Sequence, residues 1–234
     1  MPKPHDNWFD DLPHDRCIAE ASMWSADLTD LGAGAERIAP IADMLHIDVA
    51  DGVFAPAFLF FPDLVAALRA RVALPLHVHL MVDDRILLAQ AEQFAAAGAD
   101  LISVHAESAL AAEAMALIED MGALPGLVLC VETPVAAARP LLEKARMLTL
   151  LGTAIGVKGQ GLSPDAPDRL TEARQMLASQ PGPRRILAAD GGIRDHTVPG
   201  LLAAGAQTVV LGSLLFGDPD PAGRAAWLAR QTLA

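Results

Sequence analysis

LHIDVADG, residues 45–52, is the stretch on which the fold turns. Leu45, Ile47 and Val49 alternate with His46, Asp48 and Ala50, and the run ends in the turn pair Asp51-Gly52. Period-two alternation reads as a strand, and side chains two apart share a face, so His46, Asp48 and Ala50 project together. The pattern recurs in LHVHLMV (76–82), where His77 and His79 share a face, and in ILAADGG (186–192), where Asp190 precedes a Gly-Gly pair. Each is a short apolar run carrying a polar residue near its end, followed by a turn or helix signal.

Working outward, further apolar runs read as strands: CIAEASMW (17–24), ADLISVHA (99–106), LPGLVLCV (124–131), ARMLTLLG (145–152) and QTVVLGS (207–213). With the extended runs 42–49, 74–81 and 184–190 they make eight. Helix-like segments lie between them, at 62–71, 84–97, 109–121, 135–143, 165–179, 194–204 and 219–233, with a weaker one at 27–41 that contains two glycines. AAAGAD and LAAGAQ each place a glycine where a helix closes before the next strand. Eight strand–helix repeats in 234 residues predict an α/β fold of the (β/α)8 or TIM-barrel type in a single domain, rather than an open doubly wound sheet. Barrel enzymes keep their sites at the C-terminal ends of several strands, and no G-x-G-x-x-G follows the first strand. Residues 1–16 read as a loose arm or short capping helix, and 17–234 as the barrel domain.

Hydrophobic residues make up 53% of the chain and charged residues 20%, a composition for a packed core. The formal net charge of -12 argues against a general nucleic-acid binder but leaves room for an anionic small ligand held by backbone amides. Cys17 and Cys130 form no CxxC pair or disulfide framework, which favours a reducing, cytoplasmic setting. The polar start MPKPHDNWFDD is unlike a signal peptide, and no apolar run is long enough to span a bilayer.

Two imidazoles and two carboxylates delivered to one barrel rim suit one divalent metal, whether zinc, iron(II), manganese or cobalt. A lone strand-end histidine or a lone DGG is more often structural; His46, Asp48, His79 and Asp190 together point to a site. Two carboxylates at such a site also suit proton transfer on opposite faces of a substrate.

The chain resembles the ribulose-phosphate 3-epimerase family. The resemblance is carried in order by SMWSADL (22–28), LHIDVADGVFAP (45–56), LHVHLMV (76–82), FAAAGADLISVHAE (94–107), GVKGQGL (156–162), ADGGI (189–193) and VVLGSLLFG (209–217). It implies a (β/α)8 barrel holding one divalent metal through His46, Asp48, His79 and Asp190, with Asp48 and Asp190 as the catalytic acid/base pair. It implies interconversion of D-ribulose 5-phosphate and D-xylulose 5-phosphate in a cytoplasmic homo-oligomer. It also implies a substrate site of Ser22, His79 and Met81, and a phosphate grip of Gly156, Val157, Lys158, Gly159, Gly191, Gly192, Gly212 and Ser213. The alternatives are the same chemistry on another ketose phosphate, such as D-allulose 6-phosphate, or a barrel that only binds sugar phosphate. A metal-free phosphate-binding barrel, a decarboxylase or indole-pathway relative, lacks this His/Asp/His/Asp set.

Three departures from the family pattern bear on specificity. Ala50 and Leu151 stand where the family usually has Met, and Ala50 is expected to leave extra room beside the metal. Lys158 replaces a loop glycine and points either to phosphate or to solvent. His77 replaces an Asp before V-H-L-M and reads as a partner of a ligand or, preferably, a packed core histidine. His105 is expected to line the site, while His5, His14 and His196 have no clear role.

Overall fold

The computed structural model describes residues 2–231 and 233. Eight parallel strands close into a barrel in chain order. They are β1 (Ile18–Ser22), β2 (Met44–Ala50), β3 (Leu76–Met81), β4 (Leu101–His105), β5 (Leu124–Leu129), β6 (Met147–Leu151), β7 (Ile186–Asp190) and β8 (Thr208–Leu211). Pairing of β1 with β8, from Ile18 opposite Thr208 to Ala21 opposite Leu211, closes the sheet and removes the open-sheet alternative.

The alternation seen in LHIDVADG is resolved by the barrel wall. Ala19, Ala21, Leu45, Ile47, Val49, Val78 and Leu80 face outward into the main apolar layer, where helices cover them. The alternate residues point inward. At the bottom these are Ile18, Met44, Leu101, Met147 and Ile186, in a small apolar cluster with Phe9 and Leu12. Higher up the interior is polar, with Glu20, His46, His77, Ser103, Thr149 and Thr208 all buried. Both faces of each strand are therefore enclosed, as a parallel sheet requires.

The helices are α1 (Leu31–Ile38), α2 (Pro62–Arg69), α3 (Asp84–Ala96), α4 (Ala111–Asp120), α5 (Ala166–Ala178), α6 (Val198–Ala203), α7 (Ser213–Phe216) and α8 (Pro221–Ala229), and all but α7 follow the expected segments with shorter ends. Asp30, Asp83 and Asp220 accept backbone N–H groups at the starts of α1, α3 and α8. Gly98 and Gly205 adopt φ of +102° and +117°, and the following amides reach back to Phe94 and Leu201 carbonyls. Both glycines thus close their helices in the left-handed conformation as anticipated.

Three expectations need correction. Residues 135–143 are not an α-helix: Val135–Leu141 form a 3-10 segment containing Pro140. Proline has no N–H to give and crowds the preceding turn. The short α7 begins at Ser213, a residue the sequence pattern assigns to the last strand run. Residues 2–16 hold no helix: residues 6–11 form turns that bring Phe9 and Leu12 to the barrel floor. Phe9 and Leu12 are buried there, Arg184 donates to the Phe9, Asp10, Leu12 and Pro13 carbonyls, and Arg146 binds Asp10.

Candidate metal centre and active site

The site is assembled by β2, β3 and β7, whose inward side chains meet at the C-terminal end of the barrel. Asp48 lies opposite His79 in the β2–β3 register, and His46 lies opposite His77. Asp190 closes the group from the last residue of β7. One donor atom from each of His46, Asp48, His79 and Asp190 lies within 4.8 Å of the others. His46 Nε2 is 3.1 Å from Asp48 Oδ1 and 4.0 Å from Asp190 Oδ2. His79 Nδ1 is 3.4 Å from Asp48 Oδ1 and 3.9 Å from Asp190 Oδ2. Contrary to the sequence reading, His46 is not at a strand end: it is mid-strand, fully buried and set beneath the other three.

The fit to a metal ion rests on one orphaned atom. His79 Nδ1 is buried and has no hydrogen-bond partner among the described residues, yet it faces two carboxylates. A buried polar atom left unpaired costs free energy unless something meets it. Its other nitrogen is already engaged, since His79 Nε2 lies 2.8 Å from His105 Nε2. His105 Nδ1 in turn lies 3.1 Å from Glu107 Oε2. If the Nδ1 lone pair of His79 faces a cation, its Nε2–H donates to His105, and the Nδ1–H of His105 donates to Glu107. Glu107 is held by the Cys130 amide at 2.8 Å and by the Thr133 hydroxyl. Ser22 Oγ donates to Asp48 Oδ2 at 3.0 Å and orients that carboxylate.

The electrostatics agree with a cation at this point. Burial disfavours the charged form of His46, but Asp48 and Glu20 outweigh it and raise its pKa well above the ordinary value. The place between His46 Nε2 and the carboxylates therefore attracts positive charge, whether a proton or a metal. Burial pushes both aspartates up. Attraction from His46 and the hydrogen bond it makes bring Asp48 below the usual range, whereas burial, reinforced by Asp48, leaves Asp190 above it. Two carboxylates whose environments push them apart are a recurrent arrangement in acid/base sites.

Above the four residues opens a cavity of about 430 Å³. It is lined by Asp48, His79 and Asp190 at its floor and by Ser22, Met81, Gly156, Val157, Lys158, Gly159, Gly191, Gly192, Gly212 and Ser213 around it. The structure thus brings every residue of the expected substrate and phosphate set to one cavity. The glycines are needed sterically. Gly191 and Gly192 have φ of +87° and +71°, and an added Cβ would meet Thr153 Oγ1 at 2.2 Å or the Leu162 backbone at 2.7 Å. Gly212 and Ser213 stand at the start of the short helix α7, beside the β7 turn on the cavity wall. Phosphate sites in barrels often use the loops after strands seven and eight with such an extra helix.

Residues 18–216 match the family model described as the ribulose-phosphate 3 epimerase family. The chain belongs to the ribulose-phosphate 3-epimerase family. It is 34% identical over 203 residues to the ribulose-phosphate 3-epimerase of Bacillus subtilis, covering 85% of this chain and 92% of that one. It is 34% identical over 204 residues to the Escherichia coli enzyme of the same name, covering 85% and 88%. Solved structures sharing the fold include a 3-hexulose-6-phosphate synthase, at TM-score 0.66 and 19% identity over 93% of this chain and all of that one. Another is orotidine 5'-phosphate decarboxylase from Pyrococcus horikoshii, at TM-score 0.62 and 13% identity over 91% and 97%.

Within this epimerase-family barrel three side chains behave differently from expectation. Ala50 does not open space beside the metal ligands. It is 5% exposed and packs with Ala55 and Met81 in a small cluster joined by Phe54, Leu59 and Ile155. The loop after β2 folds back, with Leu59 N–H donating to the Ala50 carbonyl, and fills the volume a longer side chain would take. Ala50→Met is therefore expected to overpack this cluster and lower stability by about 1–3 kcal/mol without changing sugar preference. Denaturant unfolding of the two proteins checks the first part, and relative kcat/KM values check the second.

His105 does not line the cavity. It stands behind His79 and is covered by Phe54, whose ring centre lies 4.8 Å away. Lys158 lines the cavity and is exposed there. Its Nζ donates to the Trp24 carbonyl at 2.5 Å and lies 4.5 Å above the Trp24 ring, tying the loop after β6 to that after β1. His77 is a partner of a ligand's partner: it shares Glu20 with His46. Sequence reasoning missed Glu20, Glu107 and Trp24. Glu20 carried a usable signal, being an acid in an apolar strand two residues before Ser22 and hence on its face.

Proposed function

We propose that this protein is a metal-dependent 3-epimerase of a ketose phosphate, interconverting D-ribulose 5-phosphate and D-xylulose 5-phosphate. The observation that carries the chemistry is the pair Asp48 and Asp190. They come from strands on different sides of the barrel, yet both reach the floor of one cavity within a four-donor cluster. The C3 proton of a 2-ketose is acidic only because the carbonyl is adjacent. Inverting C3 requires a base on one face of the carbon and an acid on the other. One aspartate removes the proton and the other returns it, and their roles exchange in the reverse direction. A divalent ion held by His46, Asp48, His79 and Asp190 would supply Lewis-acid stabilisation of the charge that develops on the substrate's oxygens.

The remaining residues bind and orient. Gly191-Gly192, Gly212-Ser213 and the Gly156–Gly159 loop take the phosphate, and they line the same cavity as the two aspartates. Ser22 holds Asp48 in place, and Met81 gives the wall an apolar surface. The family relatives carry the pentulose-phosphate reading. With Ala50 packed away, the observation that had favoured a larger sugar such as D-allulose 6-phosphate is gone. A cytoplasmic homo-oligomer completes the reading, supported by the family resemblance.

Assay across a panel of ketose phosphates in D2O tests the function. D-Ribulose 5-phosphate is expected to give the highest kcat/KM, with deuterium appearing at C3 of both epimers. A stronger preference for a hexulose phosphate would transfer the assignment to that substrate. Binding of sugar phosphate without exchange at C3 would leave only a binding protein.

A further inference from the structure

Glu20 is a carboxylate of the barrel interior that belongs neither to the cavity wall nor to the four candidate ligands. It is wholly buried, at a level where a barrel ordinarily places an apolar side chain. Its Oε1 is 2.7 Å from His46 Nδ1 and 2.5 Å from His77 Nδ1. The far nitrogen of His77 lies 2.7 Å from Ser103 Oγ. One proton assignment satisfies the whole chain: Ser103 O–H donates to His77 Nε2, and the Nδ1–H groups of His77 and His46 both donate to Glu20. That assignment leaves His46 Nε2 bare and aimed at Asp48 and Asp190.

We propose that Glu20 is the positioning residue of the metal centre, locking His46 by its Nδ1–H so that Nε2 is presented to the cation. The inference rests on the metal-centre reading above and names the residue on which that centre depends. It also gives His77 its role. The two rings meet edge to face, with centres 4.9 Å apart, and His77 meets the same Glu20 oxygen as His46. Both candidate ligand histidines then end on a carboxylate, His46 directly on Glu20 and His79 through His105 on Glu107. Such outer carboxylates fix the ring and raise the basicity of the ligating nitrogen, and losing one typically weakens metal binding about 10–100-fold.

A bland alternative is a buried ion pair that serves only the fold. Measuring Co2+ affinity by chelator competition, together with the visible Co2+ spectrum, separates the two. Glu20→Gln keeps the shape and removes the charge; about tenfold weaker Co2+ binding and an altered spectrum are expected. Glu20→Ala is expected to lose about 100-fold, and Glu20→Ala/His77→Asp to bind at least tenfold tighter than Glu20→Ala/His77→Ala, because the carboxylate returns beside His46. Should Glu20→Ala fail to fold, the isosteric Gln variant decides alone. A folded Glu20→Gln protein with wild-type affinity and spectrum would overturn the role of Glu20 while leaving the metal centre standing. A wild-type protein that takes up no Co2+ would overturn the centre and this inference with it.

Discussion

Asp190→Asn is expected to lower epimerisation by about 10²–10⁴-fold while leaving the barrel folded. The asparagine has the same shape and an oxygen that still faces the cluster, but its amide cannot take up or return a proton. Asp190 is the clearer of the two carboxylates to test. Its side chain accepts no hydrogen bond from a protein donor among the described residues, and it is 18% exposed to the cavity. Asp48, by contrast, is held by Ser22 and lies beside His46. Asp48→Asn is expected to lose a similar factor and to disturb His46 as well. Deuterium entry at C3, followed from each epimer separately, reports which face each aspartate serves. Metal content measured on the same samples separates lost proton transfer from a lost ligand. An Asp190→Asn protein with full metal and turnover within tenfold of wild type would exclude a two-carboxylate mechanism.

Removal of divalent metal by chelation is expected to take turnover to background, and return of zinc, iron(II), manganese or cobalt to restore it. The cause lies in the cluster itself. Asp48 and Asp190 are like charges brought to the same buried place, and His79 Nδ1 faces them without a donor. A cation resolves both costs at once, so stability should change along with activity. Metal at about 100 times its dissociation constant adds roughly 2.7 kcal/mol to a fold that binds it only in the native state. Calorimetry of stripped and reloaded protein should therefore show a rise in Tm that depends on metal concentration. Equal activity and equal Tm in rigorously stripped protein would refute the metal assignment.

Much of this molecule was legible before its fold was seen, because local chemistry repeats along the chain. The alternation in LHIDVADG and LHVHLMV places histidines and aspartates on one face of a strand whatever surrounds it. The glycines of AAAGAD and LAAGAQ end helices by their own freedom at positive φ, and Asp190-Gly191-Gly192 marks a strand end followed by a tight turn. These are properties of neighbours in sequence, so eight strand–helix units and the four-residue cluster could be read directly.

What escaped was decided by groups distant in sequence. Glu20 and His77 are 57 residues apart, and neither has a purpose until the barrel closes and sets the His77 ring against the Glu20 carboxylate. Ala50 looked like open space because a small side chain leaves room on an isolated strand. In the closed barrel Phe54, Leu59 and Ile155 occupy that room, since the loop after β2 turns back over it. The N-terminal arm looked loose because its sequence has no period, yet Phe9 and Leu12 are the stopper for a barrel floor that exists only once eight strands have met. Residue type and spacing determined which groups could do chemistry here. The tertiary structure alone decided which of them touch, because hydrogen bonds and packing act across space, and the closed sheet brings together residues the chain keeps apart.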